Sequence, residues 1–448
     1  MKHYPFSKDN DINDTQNESL NELSYEEIHE RIELFNSIRN EGKLIHPHKL
    51  EFKDFKAIKI VPRTIEFIIT GQCNMKCRYC LTRDRYISPE GTFDVMGEEI
   101  AIKAVDFIKS YHDNGPLLIK FFGGEPLLGV NIIHKVINAL KESEIESDKM
   151  IATNGLLLDE EIIDFLADNS FLVFISLDGP PEIHDAYRKD KNGQGTYYRV
   201  LEKLQLIRTR QPEFFKSNVA INLVVAPEFS GRYSEQVRHL TNLGILYSQI
   251  HPSDTGPTSD ECTHYTDAQA LKVRQEKSRI RKEMLEECLS NADWEPKKSH
   301  QSYCHTHLEA MKMNKDNYQH DINGTETGIV KLMDCQTGSW NVLTIWPDGK
   351  VSACIEFKRE ENLVFGDLNT GYFDLEKISA FISKFRESVV EGRCAACWAV
   401  RFCVYTGCYK HFANNFCRLD WQHPIMCDAI KDDVQDRLED FLRFKIML

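Results

Sequence analysis

The sequence predicts an α/β protein whose parallel sheet is open or curved into a partial barrel, followed by a cysteine-rich domain. Three observations carry this. Short apolar runs alternate with amphipathic helical stretches from about residue 64 to 255, the signature of successive βα units. Cysteines crowd together again between 335 and 427. And 448 residues, 42% of them hydrophobic, are enough for two or three domains with sizeable cores.

Residues 1–60 read as an N-terminal extension. The first part, 1–19, is polar and rich in Asn and Asp, a composition that stays disordered. Tyr25–Glu41 is expected to be helical: Ile28, Ile32, Leu34, Phe35 and Ile38 share a face, Ser24 can cap the start and Gly42 the end. Strands are expected at Ile65–Thr70, Leu117–Phe122, Met150–Thr153, Leu172–Leu177, Val219–Val225 and roughly Tyr247–His251. Helices such as Glu98–His112, Ile132–Lys141, Glu160–Ala167 and Tyr197–Arg208 separate them, so the βα units fill residues 61–255. Residues 256–330 carry a polar helix, Asp267–Leu289, between Ser/Asp/Thr-rich and Asn/Asp-rich stretches, and read as a linker or an inserted lid. The cysteine-rich domain spans 331–430, and a charged helix, Ile430–Phe444, closes the chain in 431–448.

Composition narrows the function. A formal charge of −14 argues against a nucleic-acid partner, because phosphate binding draws on clustered Lys and Arg. The longest apolar runs, such as Phe171–Leu177, fall far short of a bilayer span, and the first residues lack a signal peptide's apolar stretch. A cytoplasmic protein without a membrane partner is therefore expected. In that compartment 14 cysteines, grouped at 73–80 and 335–427, point to metal or cluster ligands more than to disulfides, with Cys262 and Cys288 as strays.

Directly after the first strand, Cys73, Cys77 and Cys80 stand at the spacing CxxxCxxC. Three close thiolates can hold three irons of a [4Fe–4S] cube and leave the fourth iron open to a small molecule. A zinc knuckle needs a fourth ligand, and this loop holds no further Cys or His. After the second strand comes Phe122-Gly123-Gly124-Glu125-Pro126; Thr153-Asn154-Gly155 ends the third, and Ser176-Leu177-Asp178-Gly179 the fourth. His184-Asp185-x-x-Arg188 follows. Each motif sits at a strand's C-terminal end, where parallel sheets gather their chemistry.

On these motifs, residues 60–255 resemble the radical SAM superfamily, whose signature is CxxxCxxC after the first strand of a TIM-type partial (β/α)6 barrel. The resemblance implies a [4Fe–4S] cluster on Cys73, Cys77 and Cys80 that binds S-adenosyl-L-methionine and cleaves it reductively to a 5′-deoxyadenosyl radical. It further implies that the Gly123, Gly124, Glu125 and Pro126 loop contacts the methionine amino group. Asn154, Ser176 and Asp178 would bond the ribose hydroxyls and the carboxylate, and the Arg188 guanidinium suits a bidentate grip on that carboxylate. Tyr79 would pack on adenine and Val225 line the same pocket.

Cys335, Gly349-x4-Cys354, Cys394-x2-Cys397-x5-Cys403-x4-Cys408 and Cys427 form a second array. It resembles the SPASM domain, a C-terminal extension that holds two auxiliary [4Fe–4S] clusters, for three clusters in all. By that resemblance Cys394, Cys397, Cys403 and Cys427 ligate one cluster, and Cys335, Cys354 and Cys408 the other. The spacing between Cys403 and Cys408 is one residue longer than the pattern and Cys417 is extra, which leaves Cys304, Cys417, a substrate thiol or an open iron as the fourth ligand.

Enzymes with this domain mostly modify peptides, so a precursor peptide is the expected partner, with flavodoxin or ferredoxin as electron donor. Cys397-Trp398-Ala399-Val400-Arg401-Phe402-Cys403 resembles a segment of maturases of ribosomally made peptides, which install thioether, carbon–carbon or ether crosslinks or epimerise residues. Anaerobic sulfatase maturases are the alternative. They carry an Asp just after the Gx4C cysteine, whereas Ile355 follows Cys354 here, leaving Glu356 as candidate base or as a surface carboxylate. The helix at 25–41 reads as a cap on the barrel or the remnant of a leader-binding element, and the cap is favoured. Thr344–Gly349 reads as a hairpin turn leading to Cys354, with Trp346 in packing.

Overall fold

A computed structural model describes residues 63–80, 87–88, 91–92, 94–113, 115–245, 250–254, 265–290, 342–353 and 364–374, with a few single positions besides. The N-terminal extension, Glu356 and every cysteine from Cys335 to Cys427 lie outside the described residues.

The elements, in chain order, are β1 (Thr64–Ile68), the short hairpin β2 (Ile87–Ser88) and β3 (Gly91–Thr92), α1 (Glu98–Tyr111), β4 (Leu118–Phe122), α2 (Val130–Glu142), β5 (Asp148–Thr153), α3 (Glu160–Asp168) and β6 (Phe171–Ser176). There follow α4 (Pro181–Tyr187), α5 (Tyr197–Arg210), α6 (Pro212–Asn218), β7 (Val219–Val225), α7 (Tyr233–Asn242), β8 (Ile250–Asp254), α8 (Asp267–Ser290) and the strands β9 (Val342–Ile345), β10 (Lys350–Ser352), β11 (Val364–Asp367) and β12 (Tyr372–Phe373).

The sheet runs β12-β11-β10-β9-β1-β4-β5-β6-β7-β8. Strands β1 and β4 to β8 are parallel and in sequence order, the expected arrangement of successive βα units. Their pleat explains why these sequences make them. In β6, Phe171, Val173 and Ile175 are buried while Leu172, Phe174 and Ser176 are half-buried on the other face. The buried face packs on helices with matching stripes, such as Ile132, Ile133, Val136, Ile137 and Leu140 of α2. Asp159 caps α3, its carboxylate accepting from Ile162 N at 2.9 Å.

The sixth strand, expected to end near His251, runs on to Asp254. Pro252 lies within β8; that strand is at the end of the sheet order, where a missing N–H is tolerated. The polar segment that reads as a linker or lid holds α8, which buries Val273 and Ile280 and accepts a hydrogen bond from Ser234 N of α7 at Glu276.

A feature with no local signal is the pairing of β9 with β1, in parallel, Thr64 opposite Val342 and Phe67 opposite Ile345. Across it Thr344 Oγ1 donates to the buried Glu66 carboxylate at 2.9 Å, and Lys120 Nζ lies 3.5 Å from the other oxygen. Trp346, in the turn after β9, is buried against Ile68 and Phe122 and donates to Ser352 Oγ at 2.9 Å. Replacing Thr344 with Val, which keeps the shape but deprives Glu66 of this donor, should cost roughly 1–3 kcal/mol. It should lower the urea midpoint of the full chain; an unchanged midpoint would show that this pairing does not depend on the bond.

Candidate functional site

The loops after β1, β4, β5 and β6 meet at the C-terminal end of the parallel strands. Residues 69–80, which carry the first cysteines, lack helix or extended strand and are held by backbone on two sides. On one side Ile69 N donates to Phe122 O, Gly124 N to Thr70 O and Glu125 N to Gln72 O, each at 2.8 Å. A Cβ on Gly123 would lie 2.5 Å from Thr70 O, and one on Gly124 2.2 Å from Gln72 O, so this approach needs glycine. On the other side Lys76 N donates to Lys189 O at 2.7 Å and Arg78 N to Tyr187 O at 2.9 Å, with a bridge between Met75 and Asp190. Cys73, Cys77 and Cys80 ride between these two edges, each partly exposed.

Side chains lock the second edge. Tyr79 is buried, stacks on Tyr187 at 5.2 Å between centroids, lies beneath the Arg188 guanidinium, and donates its hydroxyl to Asp178. Arg188, also buried, grips Asp178 through Nε at 2.8 Å and Nη2 at 3.2 Å, while Val224 N donates to Asp178 Oδ1 at 2.9 Å. The bidentate grip that the sequence suggested for a ligand carboxylate is thus made to a protein carboxylate, and the Tyr79 ring is committed to protein contacts. Gln236 Nε2 supports the same strand end by donating to the Asp178 carbonyl at 2.8 Å. Beneath them His184 Nδ1 accepts from Asp178 N at 3.3 Å, and its Nε2 lies 3.0 Å from Thr196 Oγ1. That hydroxyl donates to the Arg188 carbonyl at 3.2 Å, which places the imidazole proton on Nε2. Burial pushes the His184 pKa down to about 4.

Glu125 turns into the protein. Its carboxylate accepts from Leu127 N at 3.1 Å, Thr153 Oγ1 at 2.7 Å and Asn154 N at 2.8 Å. Burial pushes its pKa up to about 7 against the pull of these donors. Pro126 begins a short 3-10 turn, and Ser176 remains half-buried at the end of β6. Asn154 faces the cysteine loop, Nδ2 lying 2.7 Å from Asn74 Oδ1. Val225 is buried in the main core with Leu223, and the pleat turns its neighbour Val224 toward Tyr79 and Tyr187. Tyr187 and Gln236 have no signal in the sequence beyond the place of Tyr187 directly before Arg188, because both act through contacts distant in the chain.

The donor set fits an iron–sulfur cluster. Burial pushes Cys73 up to about 11 and Cys77 up to about 12, so both are thiols at neutral pH until a cation takes the place of the proton. Among the described residues no three Cys, His, Asp or Glu side chains converge on one point as a single metal ion requires; a cluster takes one thiolate at each of three corners and does not require it.

Residues 67–239 match the radical SAM superfamily. The match falls on the βα units of this chain. Its curated relatives include the cysteine-type anaerobic sulfatase-maturating enzyme of Clostridium perfringens, 34% identical over 150 residues, covering 32% of this chain and 40% of that protein. The serine-type enzyme of Bacteroides thetaiotaomicron is 31% identical over 146 residues, 32% of this chain and 35% of its own length. The radical SAM cyclopropyl synthase TigE of Paramaledivibacter caminithermalis is 27% identical over 262 residues, 52% of this chain and 53% of that one. The chain thus spans about a third to a half of the length of these relatives. Among solved structures, anSMEcpe with bound AdoMet aligns with a TM-score of 0.62 at 19% identity, over 85% of this chain and 98% of that one. Streptococcus suis SuiB bound to S-adenosylmethionine aligns at 0.54 and 14% identity, over 87% of each. At these identities the likeness is one of fold. Among the described residues no helix is long and apolar enough to cross a membrane.

The chain should show the buried imidazole in its acid response. Folded His184 refuses a proton down to about pH 4, whereas an unfolded histidine takes one near 6.5, so its contribution is lost as pH falls between those values. Glu125, protonated more readily folded than unfolded, works in the opposite direction between about 4.5 and 7. Comparison with His184→Gln isolates the first. From pH 7 to 5 the wild type should lose about 2 kcal/mol relative to that variant in urea unfolding; parallel curves would mean that His184 titrates normally.

Proposed function

We propose that this protein is a radical SAM peptide maturase that takes hydrogen from a ribosomally made precursor peptide and installs a thioether, carbon–carbon or ether crosslink. The observation that carries the reading is the CxxxCxxC loop, clamped between two backbones at the mouth of a parallel βα sheet. When bound, the [4Fe–4S] cluster supplies the electron that cleaves S-adenosylmethionine to a 5′-deoxyadenosyl radical. The chain's own part is to position and to shield. Cys73, Cys77 and Cys80 hold three irons, Gly123 and Gly124 bring the neighbouring loop to the cluster loop, and Ser176 offers a hydroxyl at the strand ends. On the sheet face opposite the core, half-buried Leu172 and Phe174 are apolar groups suited to keeping water from a radical.

The substrate class rests on relatives. TigE, by name a cyclopropyl synthase, matches over 52% of this chain, and the fold is shared with SuiB, solved with the precursor peptide SuiA, and with anSMEcpe, solved with the Cp18Cys peptide. In this reading the later cysteines hold two auxiliary clusters, a flavodoxin or ferredoxin supplies electrons, and the protein works in the cytoplasm. Formylglycine formation is the second reading, favoured by the identity to sulfatase-maturating enzymes and disfavoured by Ile355 where they carry Asp. Peptide epimerisation is a third outcome of the same chemistry.

Anaerobically reconstituted protein with dithionite should convert S-adenosylmethionine to 5′-deoxyadenosine; no product would sink the proposal. Co-expression with a peptide encoded beside the gene should remove two hydrogens from it by mass spectrometry. An unchanged mass with inverted stereochemistry, or a formylglycine product, would replace crosslinking by one of the other two reactions.

A further inference from the structure

Asn154, one residue past the end of β5, is buried, and its amide is fixed end for end. Oδ1 accepts from Leu156 N at 3.0 Å, so Nδ2 is the end that meets the cysteine loop. Nδ2 lies 2.7 Å from Asn74 Oδ1 and 3.7 Å from Cys73 Sγ, two acceptors for its two N–H bonds. The backbone beneath is fixed as well, because Asn154 N and Thr153 Oγ1 both donate to the Glu125 carboxylate, at 2.8 and 2.7 Å. Met75 N, 3.4 Å from Cys73 Sγ, is a second donor to the same sulfur. Both N–H bonds of the Asn154 side chain are thus directed at the cysteine loop.

We infer that Asn154 is a positioning residue for the iron–sulfur cluster, its side-chain N–H bonding the Cys73 thiolate so as to orient that ligand and raise the cluster's reduction potential. The inference rests on the reading of this loop as a cluster site. A thiolate that shares its negative charge with an N–H donor stabilises the more electron-rich, reduced cluster, and hydrogen bonds to ligand sulfurs are a principal control of cluster potential. Burial strengthens the effect, since little water competes for the bond. Glu125 acts one step further out, by holding the Asn154 backbone.

The test uses the full chain, anaerobically reconstituted, and follows by redox-titrated EPR the reduced-cluster signal that changes when S-adenosylmethionine is added. Asn154→Asp keeps the shape and the acceptor for Leu156 N but removes both donors; Asn154→Ala removes the side chain. Both should keep the iron content and titrate at a lower potential than the wild type. An unchanged potential with full iron content would overturn the role of Asn154. Should neither variant hold a cluster, wild-type protein labelled with 15N-asparagine decides: pulsed EPR should show a 15N coupling to the reduced cluster, and its absence overturns the inference. Failure of the wild type to give any such cluster signal would instead overturn the reading of the loop itself.

Discussion

The site depends on how closely two backbones can approach. The cysteine loop has no helix or extended strand to hold its shape, yet its thiols must be presented in a fixed arrangement. Gly123 and Gly124 allow the loop after β4 to lie against residues 70–72, where a single Cβ would come within 2.2 to 2.5 Å of a carbonyl oxygen. The hydrogen bonds made there, Gly124 N to Thr70 O and Glu125 N to Gln72 O, set where the chain enters the cysteines. Backbone bonds to residues 187 and 189 set where it leaves, and the buried Tyr79, Arg188 and Asp178 hold that second edge. Removing the glycine contact would free one side of the loop and leave the other.

This arrangement divides labour among residues that a motif reading treats alike. Glu125 and Asp178 follow strand ends and Arg188 follows α4, charged residues with the usual profile of ligand contacts. In the fold each is buried and turned to a protein partner, Glu125 to the end of β5, Asp178 and Arg188 to each other. The three thiols stay partly exposed and Ser176 half-buried at the strand ends.

Much of the fold is legible in the sequence because it is local. Phe171 to Ser176 alternates as a half-buried strand must, and Asp159 caps a helix that its own sequence announces. The cysteine spacing and the paired glycines are also local, and they locate the site. What is not legible is set by partners far along the chain. β9 lies beside β1 although the residues that join them, Glu66 and Thr344, are 278 positions apart. Pro252 is tolerated in β8 because of where that strand falls in the sheet. Position alone does not say that Val224, and not Val225, packs with Tyr79 and Tyr187; the pleat of β7 decides it. The bidentate geometry of Arg188 is likewise evident from residue type, whereas its partner Asp178 is a matter of tertiary packing.

The central claim is that the clamped loop carries a redox-active cluster with an iron open to S-adenosylmethionine. Its most direct test is the EPR spectrum of the dithionite-reduced, anaerobically reconstituted full chain before and after that molecule is added, with a Cys73→Ala, Cys77→Ala, Cys80→Ala triple variant alongside. The account predicts a reduced [4Fe–4S] signal whose shape changes on addition in the wild type, and a variant spectrum that does not respond. A wild-type spectrum indifferent to S-adenosylmethionine, or a response that persists in the triple variant, would contradict it.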